Sequence, residues 1–363
     1  MVSATPRSPV PAVGTSPAAA HAHSGPSGPS EANALRLFVS LLREICATRG
    51  ISLVSISDDW IFHLRHGGQA AVVFGYDFSL NSATTHLLCR DKPAASALLA
   101  LHDVPCVEHR LFHGPLMADF ISLAGSWRPM LGYFEASGGD VVIKPADGTG
   151  GRGVSRARTE ADLEAAVFAL FERHRSICLS PFVPATGGEF RVGVLRGEIV
   201  FVYRKERPAL IGDGRRSVRE LLLERLGAAG DVSREWEALA PEARAERDDA
   251  AVPGAGQVVL LDWRHNLGLG AVPVLLNPDE SDVGHICGLA RRATEVLGAA
   301  LAAVDVVVTP TGAKVLEVNS GIMMENLARR LPEGLSLART LYDRIVCAVF
   351  GIKDGESVAQ RTD

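Results

Sequence analysis

The sequence predicts an α+β protein, and three features carry that expectation. Apolar residues recur every three or four positions in several segments, as at Leu35, Phe38, Leu42 and Ile45, which marks amphipathic helices. Short β-branched runs such as Val141 to Lys144 and Ala302 to Val308 mark strands. Turn pairs such as Arg196-Gly197 join neighbouring strands as hairpins, so antiparallel pairing should dominate. With 37 basic and 42 acidic side chains in 363 residues the net charge is −5, which offers no basic surface for nucleic acid. The content of 47% hydrophobic and 22% charged residues is that of a globular chain. The longest apolar run, Val296 to Val304, contains Gly298 and stops at Asp305, well short of the roughly 18 to 20 residues that span a bilayer, so no membrane is expected. Six cysteines show neither a CxxC pair nor a Cys/His cluster, so no zinc site or disulfide framework is signalled and a reducing cytoplasm is expected.

Residues 1–30 are rich in Pro, Ser and Ala with Arg7 as their only charge, and read as a disordered arm rather than a signal or transit peptide. Residues 31–90 read as a small α/β lobe: a helix ending at Gly50, a strand at Ile51 to Ile56, and a hairpin turning at His66-Gly67-Gly68. Asp91 can cap a helix with Pro93 in its first turn, and after it an extended Val104 to Val107 is expected to open a central lobe at 91–178. That lobe holds the Val141 to Lys144 strand, a glycine loop, and a helix opened by Thr159-x-x-Asp162. A last lobe at 179–352 begins with strands near 177–183, 190–195 and 198–203. Two surface helices are expected at 217–250, another at about 283–299, a hairpin at 301–319, a terminal helix at about 336–350 and a tail at 353–363.

The stretch Ile143-Lys144-Pro145-Ala146-Asp147-Gly148-Thr149-Gly150-Gly151-Arg152-Gly153 sets a lysine at a strand end before a loop of four glycines. Such a loop can turn backbone N–H groups onto phosphoryl oxygens while the ammonium neutralises their charge. Gly148, Gly150 and Gly153 satisfy GxGxxG, but no helix opens at the loop, as a dinucleotide fingerprint requires. The GK[ST] ending of a P-loop is missing, and Lys144 precedes the loop where a protein kinase would place its lysine after it. The second constellation is Asp305, Glu317 and Asn319 on one hairpin. Glu317 and Asn319 share a face, and a five-residue loop at 309–313 would set Asp305 opposite Glu317, giving hard oxygen ligands for one or two cations.

These two clusters, in this order, resemble the ATP-grasp superfamily, and in particular its cyanophycin synthetase and glutathione-forming branch, over roughly residues 80–330. Further parts of the resemblance are Asp91-Lys92, Gly188-Glu189-Phe190-Arg191 and the segment from Arg207-Pro208 to Gly212-Asp213-Gly214. The resemblance implies an ATP-grasp fold, with a nucleotide held between two antiparallel β lobes and a small α/β lobe before them. It implies an ADP-forming carboxylate:amine ligase that makes an amide through an acyl phosphate, acting on an amino acid or small peptide. Its partners would be a small-molecule carboxylate and amine, and homodimers are common among such relatives.

Carried onto this chain, the resemblance assigns Lys92 and Lys144 to the ATP phosphates. Gly148, Thr149, Gly150, Gly151 and Gly153 would cover the β and γ groups. The backbone at Leu179, Ser180, Phe182 and Val183 would read the adenine, with Leu316 as a wall and Glu189 on the ribose. Asp305, Glu317 and Asn319 would hold magnesium, with manganese able to substitute, and Arg191 would stabilise the transferring phosphoryl. Ser180-Pro181 replaces a hinge Glu, and Ala303 stands where D-alanine:D-alanine ligase relatives carry an arginine. The usual Pro-Gly turn after Asn319 is replaced by Ser320-Gly321-Ile322-Met323-Met324-Glu325-Asn326. Gly321, Glu325 and Asn326 are therefore substrate candidates, although a helix start explains Glu325 as well. Arg207, Arg264, His265 and Asn266 are further candidates, with a plain loop at 264–270 as the alternative. A phosphotransferase and a silent ATP-binding regulator are the competing functions.

Overall fold

The 3.6-residue period read from Leu35 onward becomes α1 (Leu37–Thr48), which buries Phe38, Leu41, Leu42 and Ile45 along one face and stops before Gly50, at φ +63°. The computed structural model describes residues 36–117, 127–148, 150–229 and 248–353. The expected N-terminal arm, the tail from 354, Thr149 and the second helix expected before 250 lie outside the described residues. From Arg36 on the chain is one unit. Strands β1 (Ser52–Ile56), β2 (Ile61–His66) and β3 (Gln69–Phe74) form the expected small antiparallel sheet, turning at Gly67 and Gly68 with φ of +55° and +80°. Helix α2 (Ala83–Arg90) is not legible from periodicity, because it buries only Thr85 and Cys89; the Ser82 hydroxyl caps it by accepting from the Thr85 N–H. Asp91 caps α3 (Lys92–Leu101) with Pro93 in the first turn, as expected.

Strands β4 (Arg110–His113), β5 (Val141–Pro145), β6 (Ser155–Ala157) and β7 (Ser176–Pro181) form an antiparallel sheet ordered β4-β7-β5-β6. One face buries Val141, Ile143, Ile177 and Leu179 under α4 (Trp127–Ala136) and α5 (Glu160–Phe171). The Thr159/Asp162 capping box at the start of α5 is formed as the sequence predicts. Lys144 alternates with Ile143 and so points away from that core, as does Cys178, its cross-strand partner.

A second sheet is built from β8 (Gly188–Leu195) and β9 (Glu198–Glu206), whose turn at Arg196 and Gly197 has φ of +50° and +82°, the geometry a two-residue hairpin demands. A short ribbon, β10 (Ala209–Ile211) with β11 (Val258–Leu260), and helix α6 (Val218–Ala229) intervene before β12 (Val272–Leu276). Helix α7 (Ser281–Val296), β13 (Leu301–Thr309) and β14 (Gly312–Asn319) follow, and the sheet order is β12-β9-β8-β13-β14, antiparallel throughout. Helices α8 (Glu325–Arg330) and α9 (Gly334–Phe350) end the described chain.

Both faces of this five-stranded sheet are covered. Val192, Val194, Ala302, Val304, Val306, Val315 and Val318 pack with α3 and α7, whereas Leu195, Tyr203, Leu301 and Ala303 pack with α1, α9 and the small sheet. The extended segment at Val104 to Val107 runs along β14, with the Val107 N–H donating to the Val315 carbonyl at 2.8 Å and the Val315 N–H to the Pro105 carbonyl at 2.9 Å. All six cysteines are free thiols, and no helix among the described residues is long and apolar enough to cross a membrane.

Candidate functional site

The hairpin register brings Asp305 opposite Glu317, as expected, but by a different route. The turn is two residues long, with Thr309 paired to Gly312, and a bulge at Leu316 shifts the ladder between Asp305 and Val306. The five-residue loop is thus corrected to a tight turn plus one extra residue in β14. The bulge lets Val315 and Val318 both enter the α7-side core while Glu317 and Asn319 face the opposite way, beside Asp305.

Leu301, Ala303 and Asp305 alternate onto one face, and β8 and β9 bring Arg191, Glu189 and Lys205 to the same face by cross-strand pairing. Asp305 is buried, and Arg191 grips it with two bonds of 2.7 Å, Nε to Oδ1 and Nη2 to Oδ2. The Lys205 ammonium lies 2.9 Å from the same carboxylate and 2.7 Å from Glu189, whose other oxygen is 3.4 Å from His265 Nδ1. Burial opposes ionisation of Glu189, but Lys205 and His265 outweigh it and lower its pKa. Burial likewise opposes the charge on Lys205, and Asp305 and Glu189 reverse the effect.

Across the crevice stands the four-stranded sheet. Lys144 is buried there, and desolvation lowers its pKa. Lys92, in the first turn of α3, donates to the Gly148 carbonyl at 2.8 Å and lies 3.7 Å from Glu317, bridging the glycine loop and the hairpin. Burial works against a charged Glu317, yet Lys92, Lys144 and Arg191, with a 3.1 Å bond from the Asn319 amide, hold its pKa at about 2. Glu317 therefore feels Lys92 of α3 and Lys144 of the four-stranded sheet together with Arg191 of the five-stranded one. A residual cavity lined by Lys92, Cys106, Leu316 and Glu317 measures about 10 Å³, room for about one water.

The glycine loop needs its glycines: Gly150 and Gly151 have φ of +71° and +73°, and a Cβ on Gly151 would come within 2.6 Å of Asn266 Nδ2. Arg264, paired with Asp262 at 2.7 Å, also reaches the Gly151 carbonyl at 3.4 Å. The 264–270 segment thus crosses the loop, and His265 joins the polar cluster. In the hinge stretch, Leu179 and Ser180 are buried within the sheet and the Phe182 N–H donates to the Asp140 carbonyl, so those groups are engaged by the protein itself. Phe182 lies between the Arg156 guanidinium, 3.3 Å from its ring centre, and Trp263, and Val183 is partly buried beside it. Arg207 is exposed just beyond β9, away from the buried groups. Gly321 packs on Tyr76, and Glu325 and Asn326 open α8.

Sequence reasoning missed Lys205, Asp262, His109 and Tyr76. Lys205 leaves a trace, since it continues the two-residue phase of Phe201 and Tyr203 on a strand face that is buried. His109 is buried with Nδ1 bonded to the Val107 carbonyl, and burial, then Lys144 and Lys92, push its pKa well down. Among the described residues no group of three or more His, Cys, Asp or Glu stands ready to hold a metal. Magnesium with a nucleotide needs only one or two carboxylates, the phosphates supplying the rest, so an ionised Glu317 suits it, whereas Asp305, with both oxygens held by Arg191 and Lys205, would have to exchange one of those bonds for the ion.

No family model matches the chain. Cyanophycin synthetases from Nostoc sp. and Trichormus variabilis are each 29% identical to it over 201 residues, which is 52% of this chain and 22% of theirs. The chain thus matches under a quarter of the length of those curated relatives. A bifunctional glutathione synthetase from Pasteurella multocida superposes with a TM-score of 0.53 at 18% identity, covering 87% of this chain and 44% of that one. The D-alanine–D-alanine ligase of Bacillus anthracis gives a TM-score of 0.47 at 14% identity, over 75% of this chain and 69% of its own. The chain shares its fold with that glutathione synthetase structure.

Proposed function

We propose that the chain is a magnesium-dependent, ADP-forming carboxylate:amine ligase. The observation that carries this reading is the charge balance of the crevice, where Lys92, Lys144, Arg191 and Lys205 meet the carboxylates of Glu189, Asp305 and Glu317. Among these seven buried and part-buried groups the cations exceed the acids by one, an arrangement suited to a polyphosphate. Likeness to amide-forming ligases supports the same chemistry.

In the proposed reaction a carboxylate oxygen attacks the γ-phosphorus of ATP and ADP leaves with the bonding pair. The amine nitrogen then attacks the acyl carbon, phosphate departs with the C–O pair, and the nitrogen loses a proton to give the amide. Lys144 and Lys92 would neutralise the phosphates, with Lys92 exchanging the Gly148 carbonyl for a phosphoryl oxygen. Gly148, Gly150, Gly151 and Gly153 would supply backbone donors, and Arg191 would follow the charge that develops on the transferring group. Asp305, Glu317 and Asn319 would hold magnesium, which supplies charge neutralisation between the phosphates, and manganese would serve in its place. Glu189 is assigned to the ribose, Leu316 to the adenine wall, and Arg264, His265 and Asn266 to a substrate carboxylate. A cytoplasmic setting and small-molecule substrates complete the proposal.

The test is a release assay for ADP and phosphate with amino acids and dipeptides singly and in pairs, with mass spectrometry on the products. Turnover should need both a carboxylate and an amine. A stable phosphorylated product formed without an amine would identify a phosphotransferase instead. Glu317→Ala should abolish turnover with the far-UV spectrum intact, and an unchanged rate would remove the magnesium assignment.

A further inference from the structure

Four buried or part-buried acids have a cation: Asp305 has Arg191 and Lys205, Glu189 has Lys205 and His265, Glu317 has Lys92, and Asp262 has Arg264. Glu325 differs. It is 9% exposed, its Oε1 accepts from the Tyr76 hydroxyl at 2.6 Å, and its buried Oε2 has no hydrogen-bond partner. Burial and the neighbouring Glu325 push the Tyr76 phenol up, so Tyr76 stays a protonated, neutral donor. Arg36 acts on the same Tyr76 hydroxyl, so the nearest cation of the chain is one bond removed from the carboxylate, and its unanswered oxygen is costly unless a cation arrives from outside the chain.

Its position ties it to the crevice. Asn319 ends β14, and the next residue, Ser320, bonds His86 at 2.9 Å, while His86 lies 3.1 Å from Asp77, the neighbour of Tyr76. Tyr76 is thus fixed against the strand end that carries Glu317 and Asn319, and a Cβ on Gly321 would already sit 3.3 Å from it. On the other side, Asn326 Nδ2 approaches Gly268 of the segment that crosses the glycine loop. The carboxylate therefore stands between the small sheet, the end of β14 and the loop-crossing segment, downstream of the phosphate-facing groups.

We propose that Glu325, oriented by Tyr76, binds a cationic N–H group of one substrate, an ammonium or a guanidinium. The proposal rests on the ligase reading and deepens it: one of the two substrates carries a positive charge, which the Oε2 atom accepts. Tyr76 is a positioning residue, acting through Glu325.

Calorimetry on the full chain in the presence of Mg·ADP tests this with L-lysine, L-arginine, L-norleucine and hexanoate as probes. L-lysine or L-arginine should bind and hexanoate should not. Binding of L-norleucine as well would locate the α-ammonium at Glu325, and its failure would locate the side-chain cation there. Glu325→Gln, which keeps the shape and the bond from Tyr76, should weaken the cationic probe at least tenfold and leave Mg·ADP affinity unchanged. Tyr76→Phe should weaken it a few-fold. Equal binding of lysine and hexanoate overturns the proposal, as does a Glu325→Gln protein whose only change is in melting temperature. Mg·ADP binding without any cationic probe binding overturns this proposal alone, whereas a wild-type chain that fails to bind Mg·ADP overturns the ligase reading and this proposal with it.

Discussion

Lys205→Met probes the buried charge network most directly. The ammonium is 5% exposed and lies 2.7 Å from Glu189 and 2.9 Å from Asp305, so its removal strands two carboxylates while methionine keeps most of the stem. Breaking a buried ion pair from one side costs about 3–5 kcal/mol. Asp305 retains its two bonds from Arg191, so the loss falls mainly on Glu189, left with His265 at 3.4 Å. The low end, about 3 kcal/mol, is therefore expected. Urea unfolding followed by circular dichroism at neutral pH would show it as a lower midpoint with an unchanged slope. In a double-mutant cycle Glu189→Gln should recover part of the loss, a coupling of about 1–3 kcal/mol. A loss below about 1 kcal/mol, or no coupling, would refute the claim that Lys205 neutralises both acids in a low-dielectric site.

Glu317 makes stability depend on acid. Its folded pKa of about 2 lies below its ordinary value of 4.5, so its contribution is present above the ordinary value and is lost as pH falls toward the folded one. The full amount is about 3 kcal/mol, and Glu317→Gln should differ from wild type by a margin that shrinks between about pH 5 and pH 2; a constant margin across that range would contradict it. Gly193→Ala should destabilise by about 1–3 kcal/mol, because its Cβ would sit 2.3 Å from the Phe201 ring, itself buried and stacked on Tyr203; thermal melting at neutral pH measures this. Gly284→Ala is the opposite case: it lies exposed within α7 with nothing within 4 Å of the added methyl, so melting should report a gain of up to about 1 kcal/mol.

A helix with a wide apolar face and strands with β-branched runs were legible, as in α1, β5 and β13, because their own side chains mark the buried phase, and α3 was legible from its Asp91 cap and Pro93. Helix α2 was not, since a capping serine and two small buried residues carry no period. The hairpin pairing of Asp305 with Glu317 was anticipated, but its cause, the bulge at Leu316, has no sequence signature of its own. Arg191 and Asp305 were each singled out for separate tasks, and only the pairing of β8 with β13 shows them clasping one another.

The amino-acid order alone settles which residues share a strand face and where a glycine loop follows a lysine, because these depend on a period of two and on local backbone freedom. It does not settle which cation answers which carboxylate. Arg191 and Asp305 are 114 positions apart, and Lys205 reaches Glu189 only across a strand pair. Those partnerships depend on sheet order and register, which arise when the whole core closes, and the unanswered oxygen of Glu325 emerges at that level too.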